Sequence, residues 1–223
     1  MKSLISSLTD SCVSALKKIA TGRLILALLL LGAVLFVFVL PNTAIMRLVS
    51  RGSATAGRAA EVNEVNEVDG ADGADGAAKD LSLLDTLFFY TPDEAYKLIS
   101  AYGETGRDHY RRFLLTADIL WPITYTLFFS LLISWLAQRR LKHNGPLQAL
   151  CLVPFAAFLF DLLENGSIFI MLSHYPAELT GLAFFAAIST MLKWVSVAVS
   201  VVLIAALGAL YAARLIPAGK SGV

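Results

Sequence analysis

LAFFAAISTMLKWVSVAVSVVLIAALGALYAA, residues 182–213, is the stretch that decides the fold. Its single charge is Lys193. A helix needs about 20 mostly apolar residues to cross the hydrocarbon core of a bilayer, and this run exceeds that length. A strand reading fails, because lipid would leave the backbone groups of an open sheet unsatisfied. The alternating segments of about ten residues that mark a membrane barrel do not recur either.

Working outward, three further stretches meet the same requirement: residues 24–46, 113–137 and 146–172. The sequence therefore predicts an all-α integral membrane protein of four transmembrane helices. Composition agrees. Hydrophobic residues make up 57% of the chain and charged ones 16%, against about 25% charged in a soluble domain. The net charge of +1 offers no basic field for nucleic acid.

The first stretch is too long for the core of a cleaved signal peptide, since Leu24–Leu40 is uninterrupted and 23 residues precede it. It reads as a signal anchor. Lysine and arginine in short loops set orientation. Lys2, Lys17, Lys18 and Arg23 precede the first span, and Arg139, Arg140 and Lys142 lie between the second and third. Arg214 and Lys220 follow the fourth span, whereas the loop 173–181 has neither residue type. Both termini are expected in the cytoplasm, and the membrane is expected to be the plasma (inner) membrane. Basic residues in the first loop, Arg107, Arg111 and Arg112 among them, oppose this. That loop is long, and long segments translocate largely regardless of charge.

Six segments follow. Residues 1–23 form a cytoplasmic segment in which Leu4, Ile5, Leu8, Cys12, Leu16 and Ile19 recur at helical spacing. Residues 24–46 are the anchor. Residues 47–80 form an acidic, low-complexity extracytoplasmic linker, in which Glu-Val-Asn repeats from Glu61 and Asp-Gly-Ala from Asp69. Residues 81–112 are an extracytoplasmic amphipathic segment. There Thr91-Pro92-Asp93-Glu94 supplies an N-cap, a first-turn proline and a capping-box glutamate, and Gly103 supplies the stop. Residues 113–216 are a three-helix bundle (113–137, 146–172, 182–213), and 217–223 a cytoplasmic tail.

The anchor is apolar all round, but the bundle spans are not. Asp118, Pro122 and Tyr125 share one face of the second span; Asp161, Glu164 and Asn165 share one of the third. Thr190, Lys193, Ser196 and Ser200 belong to a small-polar stripe on the fourth, where hydroxyls could bond across to a neighbour. At a rise of about 1.5 Å per residue, Asp118 lies roughly 8 Å, Glu164 roughly 12 Å, and Asp161 and Lys193 roughly 16 Å below the outer face. Each buried charge costs about 2.5–3.5 kcal/mol on insertion scales, so the four are expected to meet rather than to scatter. Lys193 is expected to pair with Asp161 or Glu164, with Asp118 and Asn165 completing the network. Tyr125, Thr190 and Ser196 would line any pocket there, and kinks at Pro122 and Pro154 would open it.

Three functions fit such a cluster. The leading one is an assembly, scaffold or regulatory subunit, in which the charges fix helix register without turnover. The chief competitor is a proton-coupled transporter or small-solute-binding protein. The third is an intramembrane enzyme acting on lipid, with Asp161 or Glu164 as general base. No zinc-protease, serine-hydrolase, nucleotide-binding or thiol-redox motif occurs. The three histidines, His109, His143 and His174, do not share one side of the membrane in this topology. No metal or cofactor is expected, and Cys12 and Cys151 read as free thiols. The expected partners are the lipid bilayer and a second copy or another membrane protein.

Overall fold

The computed structural model describes residues 2–39, 82–141 and 146–213, and all regular structure among them is helical. The linker 47–80, the anchor beyond Val39, Lys142, His143 and the tail from Arg214 lie outside the described residues. The elements are α1 (Lys2–Ile19), α2 (Gly22–Val34, continued by a wider turn over Leu35–Val39), α3 (Pro92–Ala101), α4 (Gly103–Leu114), α5 (Ala117–Arg140), α6 (Val153–His174) and α7 (Thr180–Ala213). Short 3-10 turns precede α3 at Leu84–Thr86 and α6 at Pro146–Leu152.

Three stretches are long and apolar enough to cross a membrane: Gly103–Arg139, Leu147–His174 and Thr180–Ala213. The chain is therefore read as a membrane protein. Large side chains that water would reject, such as Phe184, Val202 and Leu210 on α7, stand exposed, as a lipid-facing surface requires. A further pair, Ser7–Ile19 and Gly22–Val37, passes the same test only when taken together across a 91° bend. At the bend, the Leu24 N–H donates to Thr21 Oγ1 at 3.3 Å, so the threonine caps the start of α2.

The helix leading into the second span differs from the sequence expectation of a start at Phe113. It begins at Gly103, turns at Leu115–Thr116 and resumes at Ala117. The cause is local. Thr116 Oγ1 donates to the Arg112 carbonyl at 2.7 Å, while its N–H turns to Phe113 O at 3.0 Å. The side chain thus takes the acceptor that a continuing helix would have used. Of the two prolines expected to kink spans, only Pro122 is interior to its helix, where it cannot donate to the Asp118 carbonyl. Pro154 is the second residue of α6, a position whose N–H has no partner within the α-helix in any case.

The chain divides into two compact units. The first comprises Met1–Ala33, Leu120–Asp161 and Leu192–Val223. Its core joins Val13 and Leu16 of α1 to Leu131, Ile133 and Leu136 of α5, with Cys151 and Leu207. Here α1 packs on the Pro146–Leu152 turn, and Gln148 Nε2 ties that turn to the Ala137 carbonyl at 3.3 Å.

The second unit comprises Val34–Ile119 and Leu162–Met191. Leu84, Tyr90, Tyr96, Ile99, Tyr110 and Leu114 are buried in it against Ile168, Met171 and Ala183. The capping box of α3 is formed: Glu94 N donates to Thr91 Oγ1 at 3.3 Å, and Thr91 N to Glu94 Oε2 at 2.9 Å. Beyond α3 the chain takes a left-handed conformation at Gly103, with φ of 64°.

Candidate functional site

Lys193 is the fourteenth of the 34 residues of α7, on a stripe of small side chains that lets neighbouring helices approach. Its Nζ stands 3.5 Å from Asp161 Oδ1 of α6, and both side chains are buried. The ammonium also lies 5.5 Å from the Trp194 ring centre. An isolated charge buried at this depth would be costly; a paired one has its counter-charge fixed beside it. Of the two acids that sequence offers Lys193, the structure pairs it with Asp161. This ion pair belongs to the first unit.

The second unit holds a different arrangement. Glu164 is 0% exposed, and its Oε1 accepts a 2.8 Å hydrogen bond from Thr190 Oγ1. Thr190 Oγ1 also lies 2.9 Å from the Ala186 carbonyl of its own helix, so its single hydrogen is shared. Tyr90 is buried next to this pair. Burial, reinforced by the charge of Glu164, pushes its pKa well above the ordinary phenol range. Thr190 lies beside the Tyr90 hydroxyl, yet that hydroxyl is not in hydrogen-bonding geometry with any described group. Asp118 and Asn165 are buried in the same unit.

The remaining pocket-lining residues have other surroundings. Tyr125 meets Trp121 edge to face and Phe129 at a tilt, with ring centres 6.3 and 6.0 Å away. Ser196 Oγ donates to the Leu192 carbonyl at 2.8 Å. Ser189 and Ser200 likewise return to their own helix, at 2.9 and 2.8 Å. The serine hydroxyls of the α7 stripe therefore bond within their helix, whereas Thr190 and Lys193 reach α6. Lipid explains this: a hydroxyl without a water partner finds one in the carbonyl a turn earlier.

What sequence reasoning missed is a tyrosine framework. Tyr102 Oη donates to Ser82 O at 2.8 Å, and Tyr110 Oη to Asp85 Oδ1. Their rings meet edge to face, 5.6 Å apart. On the connection between α6 and α7, Leu179 N–H donates to Tyr96 Oη, and Tyr175 Oη to Ser100 Oγ at 3.2 Å. The Arg107 guanidinium covers the Tyr175 ring at 4.3 Å. The available signal was density: five of the chain's seven tyrosines fall within residues 90–110 and 175.

Among the described residues, no group of three or more His, Cys, Asp or Glu side chains is placed to hold a metal ion. No protein-family model matches the chain, and no curated protein or solved structure matches it either.

Proposed function

We propose that the chain is a four-span protein of the plasma (inner) membrane, with both ends cytoplasmic, that acts as an assembly or regulatory subunit rather than by turnover. The observation that carries this reading is the Lys193–Asp161 pair. A buried cation whose counter-charge sits 3.5 Å away is neutralised internally, which suits fixing the pairing of α6 with α7. The tyrosine framework supports the same reading. It fastens 82–87 and 175–179 onto α3 and α4 through side-chain hydroxyls, giving an outer helical cap a defined surface for a partner.

The test removes the two charges singly and together. Lys193→Met, Asp161→Asn and the double variant are compared for folded yield in detergent and for growth of a deletion strain. The double variant should restore both. If each single variant keeps its yield while growth is lost, the subunit reading must be abandoned.

A second reading has its own observation. Glu164 is wholly buried, hydrogen-bonded to Thr190 and next to a Tyr90 hydroxyl that bonds nothing described, a setting in which a carboxyl can exchange a proton or hold a polar solute. Proteoliposomes with an internal pH dye separate the two: proton flux that Glu164→Gln abolishes would favour transport.

A further inference from the structure

Charge is divided between the two compact units far less evenly than a net +1 suggests. The unit of Met1–Ala33, Leu120–Asp161 and Leu192–Val223 holds ten of the 18 Lys and Arg but two of the 17 Asp and Glu. Of those two acids, Asp161 is engaged by Lys193. The other acid is Asp10, on α1.

Four of the unit's basic side chains gather in one corner. The last turn of α1 carries Lys17 and Lys18. Gln138 Nε2 of α5 donates to the Lys17 carbonyl at 3.4 Å, so this turn meets the last turn of α5, where Arg139 follows. Arg23 stands just past the 91° bend between α1 and α2. The Arg139 guanidinium covers the Trp135 ring at 3.7 Å, and Trp135 packs on Tyr211 at 5.5 Å. Arginine, tryptophan and tyrosine together at a helix end are what the headgroup level of a bilayer selects.

The faces of α1 point the same way. Val13 and Leu16 are buried on the unit's core. Leu8, Cys12, Ala15 and Ile19, spaced i, i+4, i+7 and i+11, form a separate stripe that is exposed, Leu8 by 59% and Ile19 by 48%. Ser7, Ser11, Ser14 and Lys18 form the adjacent polar side, turned away from Val13 and Leu16. A helix with one apolar face docked and a second one bare, edged by lysine, suits the boundary between headgroups and acyl chains.

We propose that this corner binds the phosphate-bearing headgroup of an anionic phospholipid, gripped by Lys17, Lys18, Arg23 and Arg139, while the bare stripe of α1 sits among the acyl chains. The proposal rests on the chain being a membrane protein and on neither reading of the buried carboxylates.

The experiment uses the full chain with Trp121→Phe and Trp194→Phe, leaving Trp135 as the fluorophore. It is reconstituted in phosphatidylcholine vesicles containing an equal small fraction of brominated phosphatidylglycerol or brominated phosphatidylcholine. The anionic lipid should quench Trp135 several-fold more strongly, and high salt should reduce the difference. Lys18→Gln and Arg139→Gln, singly and together, should erode the preference stepwise; the single exposed-site variants keep the test valid should the combined one fold poorly. Equal quenching by the two lipids would overturn the proposal, as would a preference indifferent to both substitutions. Inorganic phosphate should not compete. If it abolishes the preference at low concentration, the ligand is a soluble phosphate and the lipid assignment fails.

Discussion

Lys193 Nζ of α7 and Asp161 Oδ1 of α6 are 3.5 Å apart, and Lys193 is the one charged residue of its helix. Removing one partner takes from the other the counter-charge beside it. Lys193→Met is expected to lower stability by about 3–5 kcal/mol, the usual cost of breaking a buried pair from one side. Asp161→Asn in the same chain should recover most of that loss, because no uncompensated charge remains. Thermal unfolding in a fixed detergent measures both, and a double variant no more stable than Lys193→Met would show that the two side chains are not coupled.

Thr190 and Ser196 look alike in sequence, two hydroxyls on one side of α7, but they differ in partner. Thr190 bonds Glu164, whereas Ser196 returns to Leu192. Thr190→Val keeps the shape and deletes the donor, so a buried carboxyl loses a hydrogen bond at a cost of about 1–3 kcal/mol. Ser196→Ala should stay within about 0.5 kcal/mol of the parent. The comparison is made by unfolding the two variants side by side; equal effects would mean that the Glu164–Thr190 bond adds nothing.

Two tyrosines outside the spans set an alkaline limit. Burial, followed by the charges of Glu164 and Asp85, holds Tyr90 protonated well above the ordinary phenol range. For Tyr102 burial is again the main cause and Asp85 the next. Unfolded, both would titrate near pH 10. The folded state therefore retains more protons at high pH, so the stability from these groups is complete below about pH 10 and falls as pH rises through the unfolded value toward the folded ones. The unfolding temperature should be level between about pH 7 and 9 and drop above about 10, with tyrosinate absorbance appearing only as the protein unfolds. Tyr90→Phe should cost little at neutral pH, because its hydroxyl bonds no described group. Tyr102→Phe should cost about 1 kcal/mol, because its hydroxyl holds Ser82 O. Tyrosinate absorbance rising near pH 10 in the still-folded protein would contradict this account.

Membrane character and the approximate bounds of the last two spans were legible, because length and hydropathy alone decide them. Thr180–Ala213 differs from the expected 182–213 by two residues at its start. The burial of Asp118, Asp161, Glu164 and Lys193 was also legible from the small-polar faces around them. Partner choice was not. Asp161 and Glu164 stand three residues apart on one helix, and helical spacing alone does not single out Asp161 as the acid that Lys193 pairs with. The break at Leu115–Thr116 was hidden as well, since a threonine inside an apolar run gives no sign that its hydroxyl will take the Arg112 carbonyl. The tyrosine framework depends on residues up to 83 positions apart, beyond the reach of any local pattern.

The entry and exit of α3 were read from sequence and carry the last prediction. Thr91 and Glu94 exchange hydrogen bonds that satisfy two of the helix's free N–H groups. Thr91→Ala should therefore cost about 1 kcal/mol. At the other end, Gly103 has φ of 64°, and a Cβ there would meet nothing within 4 Å. Space is not the constraint; the left-handed backbone is. Gly103→Ala should cost about 1–2 kcal/mol, and Gly103→Asn less, since asparagine tolerates that conformation. Because α3 is fastened to Ser82 and Leu179 through Tyr102 and Tyr96, a loosened α3 should also raise amide hydrogen exchange at 82–87 and 178–180. Exchange measured on the full chain in detergent checks this. Faster exchange confined to 92–103 in Thr91→Ala would show that the cap does not act as one cooperative piece.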